Sequence, residues 1–147
     1  MKRIFIDPSK CDGCKSCSLA CMQAHRDTPG TIYDLDLTDP KNQSRNFIKS
    51  DGKGGYIPLF CRHCQDAGCV NACMSGALTK DPETGFVKYD RTKCAGCYMC
   101  VMNCKFGIPQ PDVSLHYMVK CDFCEGISDT PSCVKACPTG AIYVKEV

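Results

Sequence analysis

Cys73-Met74-Ser75-Gly76-Ala77-Leu78-Thr79-Lys80-Asp81-Pro82-Glu83-Thr84-Gly85-Phe86-Val87-Lys88-Tyr89-Asp90-Arg91-Thr92-Lys93-Cys94 joins two groups of cysteines. Ala77–Lys80 and Phe86–Tyr89 have strand-like composition, and Asp81-Pro82-Glu83-Thr84-Gly85 between them has turn chemistry. The segment predicts a β-hairpin that holds the cysteines before it close to those after it.

Outward from this hairpin the chain repeats itself. Sixteen cysteines fall into four groups of four: Cys11, Cys14, Cys17, Cys21; Cys61, Cys64, Cys69, Cys73; Cys94, Cys97, Cys100, Cys104; and Cys121, Cys124, Cys133, Cys137. IFIDPSKCDGCKSCSLAC aligns with VKYDRTKCAGCYMCVMNC, and CVNACMSGALT aligns with CVKACPTGAIY. The order is therefore A–B–A–B, and such repetition dictates architecture. The C-terminal CPTGAIYVKEV resembles the first arm of the hairpin, and the N-terminal MKRIFIDPSKC resembles its second arm. Ten residues follow Cys137 and eleven lead to Cys11, together the same 21-residue step that separates Cys73 from Cys94. Groups four and one thus read as the same unit with its hairpin cut open, which predicts that the two ends of the chain pair as strands.

Groups one and three have the spacing C-x₂-C-x₂-C-x₃-C. Three thiols two residues apart can wrap one cubane cluster, and the fourth, expected at the start of a helix, points to a neighbouring cluster. Zinc favours separated C-x₂-C knuckles, and four sulfurs would serve each ion. A disulfide framework suits a secreted chain. Four [4Fe–4S] clusters fit the spacing best. With the fourth cysteine exchanged within each pair, Cys11, Cys14, Cys17 and Cys137 hold one cluster, and Cys121, Cys124, Cys133 and Cys21 hold its neighbour. Cys61, Cys64, Cys69 and Cys104 hold a third, and Cys94, Cys97, Cys100 and Cys73 the fourth. The alternative is a plain tandem pairing of groups one with two and three with four.

Composition narrows the function. The formal charge of +2 counts each Cys as neutral; four clusters at about −2 each would bring it to about −6. With scattered Lys and Arg, no Trp and no stacking pattern of Phe or Tyr, nucleic-acid binding is disfavoured. Met1-Lys2-Arg3-Ile4-Phe5-Ile6-Asp7-Pro8 contains no apolar run of signal-peptide length, so a cytoplasmic location is expected. A chain of 147 residues so dense in Cys has a thin apolar core, and metal would supply much of its folding free energy.

The whole chain resembles the four-cluster ferredoxin-type electron-transfer subunits of anaerobic redox enzymes. The segments IPLFCRHCQDAGCVNACMSGALTKDPETGFVKYD and CAGCYMCVMNCKFG carry the likeness, most closely to the ferredoxin-like partner of nickel CO dehydrogenase. The resemblance implies an α+β fold of two nested bacterial-ferredoxin-like units. Residues 1–24 and 117–147 would form the outer unit and 56–104 the inner one, with 25–55 a surface loop insertion and 105–116 a crossover linker. It also implies an electron relay without a substrate site of its own, serving CO dehydrogenase or, as the alternative, a formate dehydrogenase, hydrogenase or tungsten/molybdenum aldehyde oxidoreductase, together with a second electron-transfer protein. Pro follows Cys137 alone among the fourth cysteines, which leaves the ligands in place.

Further expectations concern single residues. Strands are expected at Arg3–Ile6 and Ala141–Val144, an extended piece at Tyr56–Phe60, and helices at Ser18–Ala24 and Tyr98–Cys104. The linkers 25–55 and 105–120, rich in Pro, Gly and Asp, read as irregular loop and extended crossover. His25, His63 and His116 are expected at the surface or behind the ligands, because sixteen cysteines leave no ligand vacancy. Met22, Met74, Met99 and Met102 are expected to pack around clusters. Lys15, Lys105 and Lys120 either raise local potentials or are merely solvated. Asp7 and Asp90 match across the A repeats and suggest a turn role. No nucleophile–base constellation, phosphate loop or dinucleotide fingerprint is present. Rival readings are a structural zinc module and an enzyme with an open iron position.

Overall fold

The two ends of the chain pair with each other. A computed structural model describes all residues, Met1–Val147. In chain order its elements are β1 (Lys2–Ile6), α1 (Ser16–Ala24), β2 (Phe47–Ser50), β3 (Tyr56–Leu59), α2 (Gly68–Asn71), β4 (Leu78–Lys80), β5 (Val87–Tyr89), α3 (Met99–Met102), β6 (Gln110–Asp112), β7 (Tyr117–Val119), α4 (Ser132–Lys135) and β8 (Ile142–Glu146). β1 runs antiparallel to β8, with Ile4 opposite Val144 and Phe5 opposite Tyr143. The Phe5 and Tyr143 rings stack at 5.9 Å. β4 and β5 form the hairpin expected between Cys73 and Cys94, with Leu78 opposite Tyr89. In its turn the Asp81 carboxylate accepts from the backbone N–H groups of Glu83 and Thr84, and Gly85 takes the left-handed φ of 68°.

The segment expected to be irregular loop and the one expected to be an extended crossover both contribute to antiparallel ribbons. Phe47–Ser50 pairs with Tyr56–Leu59, and the Asp51 carboxylate closes the turn by accepting from Lys53 N–H and Gly55 N–H. Gln110–Asp112 pairs with Tyr117–Val119, and Asp112 accepts from the Ser114 hydroxyl and Leu115 N–H. The turn residues make turns as expected, but these turns close hairpins rather than loops. Pro111 sits opposite Met118, which a two-stranded ribbon tolerates because one side of each strand needs no donor.

Two-stranded ribbons are marginal alone and need a packed face. α1 packs on α4 and α2 on α3. Beneath β1 and β8, Ile4, Cys17, Phe60, Phe123, Cys133 and Ile142 form one buried cluster. Beneath β4 and β5, Ala67, Leu78, Val87 and Met118 form a second. Only 24 of 147 residues are buried, so the apolar core is as thin as the composition implied. The arrangement is a small α+β fold of short antiparallel strand pairs and short helices. The expectation for the methionines fails in part: Met74 and Met102 are 89% and 79% exposed, and the buried one is Met118.

Candidate metal centres

The A repeat folds the same way twice. Asp7 accepts from Ser9 N–H and the Ser9 hydroxyl, starting the single 3₁₀ turn Pro8–Lys10 that delivers Cys11. Asp90 does the same with Thr92 and delivers Cys94. Their role is that of turn residues, as the repeat suggested. Next, Gly13 and Gly96 take φ of 75° and 66°, and Lys15 and Tyr98 take φ of 60° and 57°. These left-handed positions curl the loop so that successive thiols turn inward. α1 and α3 start directly after Lys15 and Tyr98, earlier than expected for α1, so the third cysteine of each group lies in the first helical turn. Cys104 falls just past α3 rather than within it.

The folded chain gathers cysteines from different groups. Cys11, Cys14, Cys17 and Cys137 line one cavity, roofed by Ile48 and Pro58 of the β2–β3 ribbon. Cys73, Cys94, Cys97 and Cys100 line another, together with Leu78, Tyr89, Tyr98 and Met118. The Tyr98 hydroxyl donates to the Asp112 carbonyl, which ties the second cavity to the β6–β7 ribbon. The two linkers thus cover two equivalent sites.

Thiol electrostatics report the same neighbours. Burial, with the nearby thiols of Cys137 and Cys14, pushes Cys17 up to about 11. Burial and the thiols of Cys21, Cys124 and Cys17 push Cys133 up to about 12. Cys69 is raised to about 11 by burial, with Cys61 and Cys104 beside it. Burial also raises Cys61, with Cys104 and Cys64 adding to it, and Cys100, with Cys73 and Cys94 adding to it. Buried Cys121 is raised as well, with the thiols of Cys61 and Cys21 adding to it. Groups one and four meet, and groups two and three meet. Burial opposes ionisation of Cys73, but the Leu78 N–H and the Ser75 hydroxyl hold its thiol below the ordinary value.

All sixteen cysteines are free thiols. Sulfur-only donor sets in largely apolar surroundings suit an iron–sulfur cluster, and a second observation agrees. His63, expected at the surface or behind the ligands, is 1% exposed. Its Nδ1 accepts from Val87 N–H at 2.9 Å, so Nε2 carries the proton, and this buried N–H finds no acceptor in the polypeptide. A donor of this kind is costly to leave unmade and is available to a group the chain itself does not supply.

Residues 25–55 also reach the centres, which no sequence signal announced. Arg45 N–H donates to Cys21 Sγ at 3.3 Å, and the Ser18 hydroxyl donates to Asn46 Oδ1 at 2.7 Å. His25 Nε2 and the Arg45 guanidinium both meet the Asp122 carboxylate. Among the lysines, Lys15 and Lys105 are exposed while Lys120 is buried. Cys14 and Cys97, equivalent in the repeat, are the two exposed cysteines.

Residues 53–147, more than half the chain, match the 4Fe-4S dicluster domain family. The chain belongs to that family. The dicluster-family protein is 37% identical to the B subunit of the anaerobic dimethyl sulfoxide reductase of Escherichia coli (strain K12), over 94% of its own length and 70% of the relative's. It is 36% identical to the NADH-dependent phenylglyoxylate dehydrogenase subunit beta of Aromatoleum evansii, over 95% of its length but 29% of that subunit's. With the nitrate-inducible formate dehydrogenase iron-sulfur subunit of E. coli (strain K12) it shares 34% identity over 95% of its own length and 52% of the relative's. Among solved structures it resembles a component of the active site complex BamBC of benzoyl coenzyme A reductase, with TM-score 0.54, 27% identity, and 99% and 79% of the two proteins covered. The dicluster-family protein is a [4Fe–4S] iron–sulfur electron-transfer protein. No helix is long and apolar enough to cross a membrane.

Proposed function

We propose that this chain relays electrons through four [4Fe–4S] clusters between the catalytic subunit of an anaerobic oxidoreductase and a second redox carrier. The observation that carries the proposal is the meeting of thiols from groups one and four, and from groups two and three, in shared cavities. It supports the ligand sets Cys11, Cys14, Cys17, Cys137; Cys121, Cys124, Cys133, Cys21; Cys61, Cys64, Cys69, Cys104; and Cys94, Cys97, Cys100, Cys73. It gives no support to the tandem pairing.

The pairing of β1 with β8 and of β4 with β5 supports two nested ferredoxin-like units, one completed by the chain ends and one by the central hairpin. The proximity of Cys17 to Cys133 and of Cys61 to Cys121 supports a continuous order of four clusters. Its ends lie at the exposed Cys14 and Cys97. When bound, the clusters supply reversible one-electron chemistry over a wide potential range. The chain's residues bind them, exclude water and fix their order.

For the catalytic partner, the likeness of residues 57–90 and 94–107 favours CO dehydrogenase. Formate dehydrogenase, hydrogenase or aldehyde oxidoreductase is the second reading, and the relatives named for formate dehydrogenase and hydrogenase-2 favour it. A cytoplasmic location belongs to the same proposal. The test is anaerobic reduction of the holoprotein by each purified catalytic partner with its own substrate: CO, formate, H₂ or aldehyde. Rapid bleaching of the visible cluster absorbance with CO and its enzyme is expected. Bleaching with formate alone overturns the CO reading, and a colourless zinc protein overturns the relay itself.

A further inference from the structure

Lys120 is 5% exposed, yet it makes no ion pair. Its ammonium donates to two backbone carbonyls, Val87 O at 2.7 Å and Cys121 O. Two of its three N–H groups are thereby satisfied, but its charge is not. Taking a charge out of water is expensive unless an opposite charge compensates it.

Its contacts place this cation between two thiol groups: it donates to the carbonyl of Cys121 itself and to that of Val87, whose N–H donates to His63 between Cys61 and Cys64. Its charge acts on Cys61 and Cys69 of one group and on Cys121 of another. Cys61 and Cys121 are themselves electrostatic neighbours. Lys120 therefore stands where the two halves of the molecule approach each other. Its side chain starts on the segment leading to Cys121 and reaches β5 of the other half.

The B repeat contains its own control. IPLFCRHC aligns with YMVKCDFC, which puts Phe60 before Cys61 where Lys120 stands before Cys121. Phe60 is 2% exposed and likewise reaches across, packing with Ile4, Phe123 and Ile142. An apolar side chain thus serves this position in one copy. The fold does not demand a charge there, so the charge in the other copy calls for a reason of its own.

We propose that Lys120 is a potential-setting residue: its buried ammonium raises the reduction potentials of the two clusters that face the junction, those bound by the Cys61 and Cys121 sets. A cluster gains negative charge on reduction, and a fixed cation in a poorly solvated site stabilises that reduced form. The ammonium makes no hydrogen bond to the Cys11 or Cys94 group, and their terminal clusters are expected to keep their potentials. The consequence is a relay whose middle accepts electrons more readily than it would without the lysine, which eases transfer across the boundary between the halves.

This inference rests on the ligand sets proposed above, and one experiment separates the two. Wild-type, Lys120→Met and Lys120→Gln holoproteins are purified anaerobically, assayed for iron, and titrated electrochemically with cluster spectra recorded by electron paramagnetic resonance. Wild type should bind about sixteen iron atoms and show four couples; a different count refutes the ligand sets, not the role of Lys120. In both variants the iron count should be unchanged, two couples should shift to lower potential and two should stay. Four unshifted couples at full iron content overturn the inference. So does failure of both variants to assemble four clusters, because Lys120 would then be a folding residue.

Discussion

His63 and Phe123 occupy the same position of the repeated C-x-x-C loop, and they meet edge to face with ring centroids 5.9 Å apart at 81°. Both take left-handed backbone, at φ 42° and 63°. Phe86 completes the group, stacking on Phe123 at 4.4 Å and lying 5.2 Å from His63. Arg3, from the other strand pair, lies over the Phe86 ring at 6.0 Å and donates to the Gly85 carbonyl. The two halves are joined by equivalent residues of the repeat that have diverged in chemistry.

That junction makes His63 a stability residue. His63→Ala leaves Val87 N–H buried without an acceptor, a cost of about 1–3 kcal/mol. It also opens a cavity between two aromatic rings, adding about 2 kcal/mol or more. His63→Phe fills the space, keeps the first cost and, like Ala, removes the Nε2–H donor. The guanidinium midpoint for cluster bleaching should fall most for Ala and less for Phe, and amide exchange at Val87 should quicken in both. Identical midpoints for the two variants would contradict the packing role.

The cavity shared by Cys73, Cys94, Cys97 and Cys100 predicts which cysteine variants resemble each other. Cys73→Ser and Cys97→Ser should perturb the same electron paramagnetic resonance signal, although the residues belong to different sequence groups. Cys64→Ser should perturb another. If Cys73 and Cys64 instead share a signal, the exchange of fourth cysteines is wrong.

Glycine substitutions should distinguish close approach from backbone strain alone. Gly96 has φ 66°, and a Cβ there would lie 2.7 Å from the His116 carbonyl oxygen. Gly107 has φ 62° with nothing within 4 Å. Gly107→Ala should cost about 1–2 kcal/mol from the left-handed backbone. Gly96→Ala carries that cost and must also push the turn between β6 and β7 away from the Cys94 loop. Its bleaching midpoint should be clearly the lower of the two; equal midpoints would mean the turn yields freely.

Much of this architecture is legible in one dimension because the repeat is local. Cysteine spacing, the Asp7 and Asp90 turns, and the central hairpin depend on residues within a few positions of one another. Even the pairing of β1 with β8 follows from the repeat, since the end of the chain matches one arm of the hairpin and the beginning matches the other. Extended backbone is expected at Tyr56–Phe60 and over 105–120, but the pairing of β2 with β3 and of β6 with β7 is not legible, because the Pro, Gly and Asp around these short strands read as loop or crossover. Met74 and Met102 lie at the surface, because proximity to a cysteine in sequence does not say which way a side chain faces.

The sequence by itself therefore determined the chemistry: four groups of thiols, their metal and the A–B–A–B order. Tertiary structure alone decided the electrostatic setting. It buried Lys120 between two thiol groups while leaving Lys15 and Lys105 in water, and it buried His63 with one nitrogen unpartnered. Ligation is set by donor type and local spacing, which a sequence displays. Burial of a charge depends on what the rest of the chain places around it, and for Lys120 that is Val87, 33 residues away.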